Sequence, residues 1–165
     1  MKYLLCIDGS ASSRKAAEKV TSMISNEDAI IFLSVFPPVP ESSQLCSPSS
    51  STLSKMVFEM FSGVPDLVDS NEDQQNQLKR SNKKKTEALK ELHYYQKMNI
   101  PCNNIKYLLV GSNEVSDTIT KVADKFEVDC VVMGSRGMGT IKRLLLGSVS
   151  SQVLQMSNRS VFIIR

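Results

Sequence analysis

The sequence predicts an α/β fold: a parallel sheet with helices on both faces. Three observations carry this expectation. Five short apolar runs, at residues 3–7, 29–35, 105–110, 130–133 and 161–164, are nearly continuous in Val, Ile and Leu. Such runs mark strands buried on both faces, whereas a half-exposed sheet would alternate. Between the runs lie stretches whose apolar residues recur at helical spacing. The two kinds of segment alternate along the chain, which calls for right-handed crossovers between parallel strands.

Taken in order, the first strand is followed by a stripe of Ala16, Ala17, Val20, Met23 and Ile24. A long second helix is expected over residues 71–98, with Leu78, Leu89 and Leu92 turned inward and Lys83, Lys84 and Lys85 on its solvated face. The third helix is the cleanest, with Val115, Ile119, Val122, Ala123 and Phe126 on one side. The fourth carries a shorter stripe of Val149, Val153 and Met156. One segment breaks the rhythm. Residues 37–70 hold a PPVP run and a serine-rich stretch, which disfavour regular structure, and then LSKMVFEMF. Leu53, Met56, Val57 and Met60 are spaced for a short amphipathic helix. We read 1–165 as a single domain carrying an insertion at 37–70, either a surface loop, a lid or a partner-binding segment.

Composition narrows the function. A net charge of +3, from 20 basic and 17 acidic residues, is too mild to indicate a nucleic-acid binder. No apolar run approaches the ~20 residues that span a bilayer. The N-terminal run is broken by Asp8, so it reads as a buried strand and not as an export signal. A cytoplasmic, reducing compartment is the expectation. The cysteines, Cys6, Cys46, Cys102 and Cys130, form no metal-ligand spacing and are read as free thiols. The only histidine, His93, falls in a polar helical stretch, which argues against a Ser-His-Asp triad.

The chemistry concentrates after the fourth strand, in VVMGSRGMGTIKRLLLGSVSSQVL. Gly134 follows that strand, Gly137 comes next, and Gly147 precedes the helix opened by Ser148 and Val149. In parallel sheets ligands bind beyond the carboxyl ends of the strands, where strand order reverses. A glycine there admits close approach of a ligand. A helix N-terminus offers free N–H groups and partial positive charge to a phosphate. The Ser148 hydroxyl can cap the helix and also donate to a phosphate oxygen, while Ser150 and Ser151 extend the polar supply. The same residues are also consistent with a turn glycine, a loop glycine and a plain cap. The segment is neither a P-loop nor a G-x-G-x-x-G fingerprint. Asp8, in Asp8-Gly9-Ser10 after the first strand, is placed either to accept hydrogen bonds from a ribose hydroxyl or adenine amino group, or to cap the next helix.

Together these residues resemble the universal stress protein family. The resemblance rests on Asp8-Gly9-Ser10, on Val110-Gly111, and on Gly134, Gly137, Gly147 and Ser148, which match the family's G-x2-G-x9-G-[ST] signature. It implies a Rossmann-like five-stranded parallel sheet of order 3-2-1-4-5, and membership of the subgroup that binds ATP. By resemblance, Asp8 contacts the ribose or adenine, Val35 lines the adenine pocket, and Cys6 lies near the base. Met133 and Gly134 contact the nucleoside side. Gly137, Gly147, Ser148 and Val149 hold the phosphates, with Ser150 a further candidate and a divalent ion, Mg2+ or Mn2+, carried through the phosphates. The resemblance also implies a homodimer through the last strand, whose apolar edge invites pairing. Arg136 departs from the pattern, standing where a histidine is common, and Met138-Gly139 loosens the loop. The leading functional expectation is an ATP-binding sensor or regulatory module of the stress response. A slow ATPase is the first alternative, disfavoured because no lysine of the phosphate-loop type and no clear general base is present, and a nucleotide-free interaction scaffold with the insertion as its docking segment is the second.

Overall fold

In a computed structural model of the chain, residues 1–38, 72–136 and 146–165 are described, residues 72–75 by their backbone alone. Five strands, β1 (Lys2–Cys6), β2 (Ala29–Phe36), β3 (Asn104–Gly111), β4 (Cys130–Gly134) and β5 (Ser160–Ile164), form one sheet. The described helices between them are α1 (Ala11–Thr21), α2 (Glu72–Gln96), α3 (Val115–Lys125) and α4 (Ser148–Met156). Every pairing is parallel and the order is β3-β2-β1-β4-β5, as expected. The strand boundaries shift by a residue or so. β1 ends at Cys6, before Ile7, while Gly111 and Gly134 are the last residues of β3 and β4 instead of the first beyond them.

The side chains of each strand alternate between two buried layers. Leu5, Ile30, Phe32 and Val132 pack under α1 and α2 with Ala16, Ala17, Val20, Leu92 and Tyr95. Leu4, Ile31, Leu33 and Val131 pack on the opposite face with Ile119, Val122, Ala123 and Val153 from α3 and α4. Burying each Leu or Ile contributes about 1.5–3 kcal/mol, so the continuous apolar strands supply the driving force for both layers. Phe32 anchors the first layer, stacked between Tyr95 and Tyr107 with both centroid separations at 5.1 Å.

Three expected inward residues are exposed. Leu78 is 39% exposed, and the buried stripe of α2 runs instead through Ser81, Leu92 and Tyr95. At 25 residues, α2 is about 37 Å long, while the eight-residue β2 spans about 26 Å. The helix overhangs the carboxyl edge of the sheet, and Leu78 lies on the overhang, just before the point where Ser81 Oγ donates to the Pro37 carbonyl at 2.8 Å. Met23, in the turn beyond the end of α1 at Thr21, points to solvent, while its neighbour Ile24 is buried. Met156, the last residue of α4, is exposed because that short helix buries Ser150 and Val153 instead. The expected helix around Leu53, Met56, Val57 and Met60 lies outside the described residues.

Candidate functional site

Strand order reverses between β1 and β4, and their registered pairing stops at Leu5 and Val132. Beyond that point β1 stays with β2, where Cys6 faces Leu33 and Ile7 N donates to the Leu33 carbonyl at 2.9 Å. β4 stays with β5 through Met133 and Gly134. The two halves of the sheet therefore part at their carboxyl ends, where a fold of this kind presents its ligand crevice. A cavity of about 710 Å3 opens there. That volume lies within the range of small-molecule sites.

Three chain segments build its polar wall. In the first, Asp8 Oδ1 accepts from Ser10 N at 3.0 Å across Gly9, whose φ of +78° is a left-handed conformation that glycine adopts without strain. Ser10, not Asp8, caps α1: its Oγ accepts from Ser13 N at 3.1 Å. The exposed Asp8 carboxylate is thus held at the cavity rim by its own loop and is spared the work of capping.

The second and third segments are stapled together. Ser10 Oγ donates to the Arg136 carbonyl at 3.2 Å, joining the start of α1 to the loop leaving β4. Gly147 N donates to the Ser135 carbonyl at 2.8 Å, and Ser150 Oγ donates to the same carbonyl at 3.1 Å and to the Gly147 carbonyl at 3.0 Å. Ser135 and Gly147, which flank segment 137–145 on either side, are thereby held beside each other. Gly147 is the N-cap of α4, and no side chain among the described residues caps that helix. The first N–H groups of a helix lack intrahelical acceptors, so those of Ser148, Val149 and Ser150 offer donors and partial positive charge at the cavity wall.

The apolar floor comes from Cys6, Leu33, Val35 and Met133 on the strands and from Val115 and Ile119 on α3. Burial, and secondarily the carboxylate of Asp8, pushes the Cys6 thiol up to about 12. Cys6 therefore faces the cavity as a neutral, unreactive surface.

Nine of the ten positions singled out in the sequence line this one cavity: Cys6, Asp8, Val35, Met133, Gly134, Gly147, Ser148, Val149 and Ser150. The tenth, Gly137, lies outside the described residues, as do Met138 and Gly139. Sequence reading missed the α3 contribution, because Val115 and Ile119 carry the same helical stripe as any core residue. It also missed Ser13, which reaches the cavity from the first turn of α1. Arg136 lines the wall, and His93 is exposed on α2 away from it. Among the described residues there is no group of three His, Cys, Asp or Glu side chains suited to a metal.

The fold and crevice define a parallel α/β protein with a ligand site at the strand switch point. The sequence model of the universal stress protein family matches residues 58–165, and the chain belongs to that family. It is 32% identical over 111 residues to universal stress protein MJ0577 of Methanocaldococcus jannaschii, a match taking in 66% of each chain, just under two thirds of the relative. The solved structure of MJ0577 superposes with a TM-score of 0.65 at 24% identity, covering 99% of this chain and 94% of the other. A universal stress protein family structure from Arabidopsis thaliana with AMP bound gives a TM-score of 0.56 at 15% identity, covering 99% and 90%. A universal stress protein in complex with cAMP gives 0.53 at 19%, covering 100% and 96%. At these identities the superpositions establish the fold. No helix among the described residues is long and apolar enough to cross a membrane.

Proposed function

We propose that the chain binds an adenine nucleotide, with ATP the expected ligand, and acts as a cytoplasmic regulatory module. The observation that carries this reading is the convergence of the nine sequence-designated residues on one crevice with an apolar floor at one side and, at the other, a helix N-terminus that no described side chain caps. A nucleotide needs those two environments together: a flat apolar slot for the base and directed N–H donors for the phosphates. The adenine lies against Cys6, Val35 and Met133. Asp8, an acceptor at the rim, takes a ribose hydroxyl, and the α4 N-terminus with Gly147, Ser148 and Val149 takes the phosphates. Ser150 contributes its backbone N–H, since its hydroxyl already donates to two carbonyls. Relatives of the same fold solved with AMP and with cAMP support the ligand class. A divalent ion, Mg2+ or Mn2+, would be carried by the phosphate oxygens.

We favour binding over turnover. Among the described lining residues Asp8 is the one carboxylate, and the proposed ribose contact occupies it. The stress connection rests on the family. The described end of the sheet at β5 leaves Phe162 40% exposed, which fits a homodimer formed along that edge.

The test is calorimetric titration with ATP, AMP, cAMP and GTP, with and without Mg2+, on protein stripped of nucleotide. Ser148→Pro is the decisive variant. Proline is tolerated at the first position of a helix, so α4 survives while one phosphate-facing N–H is removed. ATP binding weakened about tenfold by this change, with GTP excluded, is the expected result. Absence of adenine-nucleotide binding by the stripped wild type would overturn the reading in favour of an interaction scaffold. Hydrolysis above background that the variant abolishes would favour a slow ATPase.

A further inference from the structure

The Asp8–Ser10 loop has a second face, turned away from the cavity, and α2 covers it. A Cβ built on Gly9 would stand 3.3 Å from Cγ, Cδ and Oε1 of Glu91, so the Glu91 carboxylate lies flush on the glycine. Arg14, in the first turn of α1, holds that carboxylate: its Nη2 is 2.6 Å from Glu91 Oε1. The Arg14 guanidinium also rests over the Tyr94 ring, 5.9 Å from its centroid. Glu91 Oε2 is buried and has no hydrogen-bond partner among the described residues. A surface ion pair would leave that oxygen in water; this carboxylate has been drawn in against the loop at a cost in desolvation.

Resting on the nucleotide reading above, we propose that Glu91, clamped by Arg14, is a positioning residue for ligand binding: it braces Gly9 from behind and so fixes where the Asp8 carboxylate stands. Ser13 and the Arg136 carbonyl fasten the two ends of the loop, at Asp8 N and Ser10 Oγ, and two further contacts bear on the Asp8 carboxylate and on Gly9. On the cavity side the Ser10 N–H holds Asp8 Oδ1. On the far side, glycine alone leaves a gap that a side chain would fill, and Glu91 fills it. Without that brace Gly9 regains the broad conformational freedom of its residue type, and Asp8 must be re-ordered each time a ligand binds. Arg14 matters electrically as well. It neutralises a carboxylate that otherwise stands one residue behind the Asp8 carboxylate at the cavity rim.

The experiment compares ATP with 2′,3′-dideoxy-ATP, which lacks the hydroxyls assigned to Asp8, on wild type, Glu91→Ala, Glu91→Gln, Asp8→Ala and the Glu91→Ala/Asp8→Ala double variant. Glu91→Ala is expected to weaken ATP binding about five- to tenfold and dideoxy-ATP binding little, which lowers the discrimination between them. Glu91→Gln keeps the contact with Gly9 and is expected to restore most of it. In the Asp8→Ala background, Glu91→Ala should add almost nothing, since the two act through one contact. Arg14→Ala, on the outer half of the pair, should shift ATP affinity in the same direction by less, and it serves if Glu91→Ala fails to fold. Equal weakening of both nucleotides, additivity with Asp8→Ala, or no change at all would overturn the proposal while leaving the nucleotide site standing. A wild type that bound neither nucleotide would overturn the site and this inference together.

Discussion

Gly134 and Ser12 are packed so closely that a Cβ on Gly134 would lie 2.6 Å from the backbone carbonyl carbon of Ser12 and 2.8 Å from Ser13 N. The first turn of α1 is seated directly on the end of β4. Gly147 is different. A Cβ there would meet Arg136 Cα and the Ser135 carbonyl oxygen at 3.4 Å, and its φ of −65° suits any residue. One glycine of the signature is thus required by the fold itself, while the fold leaves room for a side chain at the other.

Substitution should separate the two. Gly134→Ala forces backbone against backbone and is expected to cost about 2–3 kcal/mol in urea unfolding. Gly147→Ala should cost no more than about 1 kcal/mol, as a weaker N-cap, yet reduce ATP affinity by crowding the phosphates. Equal stabilities for the two variants would refute the distinction.

Ser150→Ala tests the staple. It removes both hydroxyl contacts at a buried position, while the Ser135 carbonyl keeps the Gly147 N–H. A loss of about 1–2 kcal/mol is expected. Nucleotide affinity should fall with it, because the α4 N-terminus is no longer held against the loop leaving β4. Unchanged affinity would show that the Gly147 bond alone sets the geometry.

Tyr95 predicts an alkaline limb. Its side chain is 1% exposed, its hydroxyl has no partner among the described residues, and burial pushes its pKa up to about 12. The raised value means the folded state retains a proton that the unfolded chain gives up near 10. Stability contributed by that proton is complete below pH 10 and is lost as pH rises toward 12. Tyr95→Phe should flatten this limb and leave stability at pH 7 unchanged or slightly higher, since an unpaired buried hydroxyl is removed. Thermal melts from pH 7 to 11 are the measurement; an intact limb in the variant would assign it elsewhere.

The β5 edge gives a fourth prediction. Light scattering is expected to report twice the chain mass at micromolar concentration. Phe162→Lys, which puts a charge on the exposed edge, should shift it to one chain without changing helical content. A monomeric wild type would exclude the edge pairing.

Much of the fold was legible because its determinants are local. The continuous apolar runs of β1, β2 and β4 are buried as expected, whereas β3 and β5, at the two ends of the sheet, hold no fully buried residue; Val115, Ile119, Val122 and Ala123 can bury one face only as a helix. The candidate site was legible where a motif has a backbone reason, as at Gly147 and Ser148 at the start of a helix. The sequence did not reveal how far α2 would overhang the sheet, so Leu78 was assigned inward and Tyr95, the stacking partner of Phe32, was not assigned at all. Periodicity specifies a helix face but not the length over which something covers it.

By itself, then, the sequence determined the alternation of strands and helices, the burial of the inner strands on both faces, and nine of the residues gathered at the carboxyl edge of the sheet. Only the tertiary structure decided which partner each of those residues has. Ser10 caps α1 in place of Asp8, Gly134 yields to Ser12, the Ser150 hydroxyl turns to two carbonyls, and Glu91 of α2 comes to rest behind Gly9. The physical reason is range. Propensity and periodicity act over a few neighbouring residues, whereas the contacts of Gly134 with Ser12, of Ser150 with Ser135 and of Glu91 with Gly9 join residues far apart in the chain, which meet only once the sheet and its helices have packed.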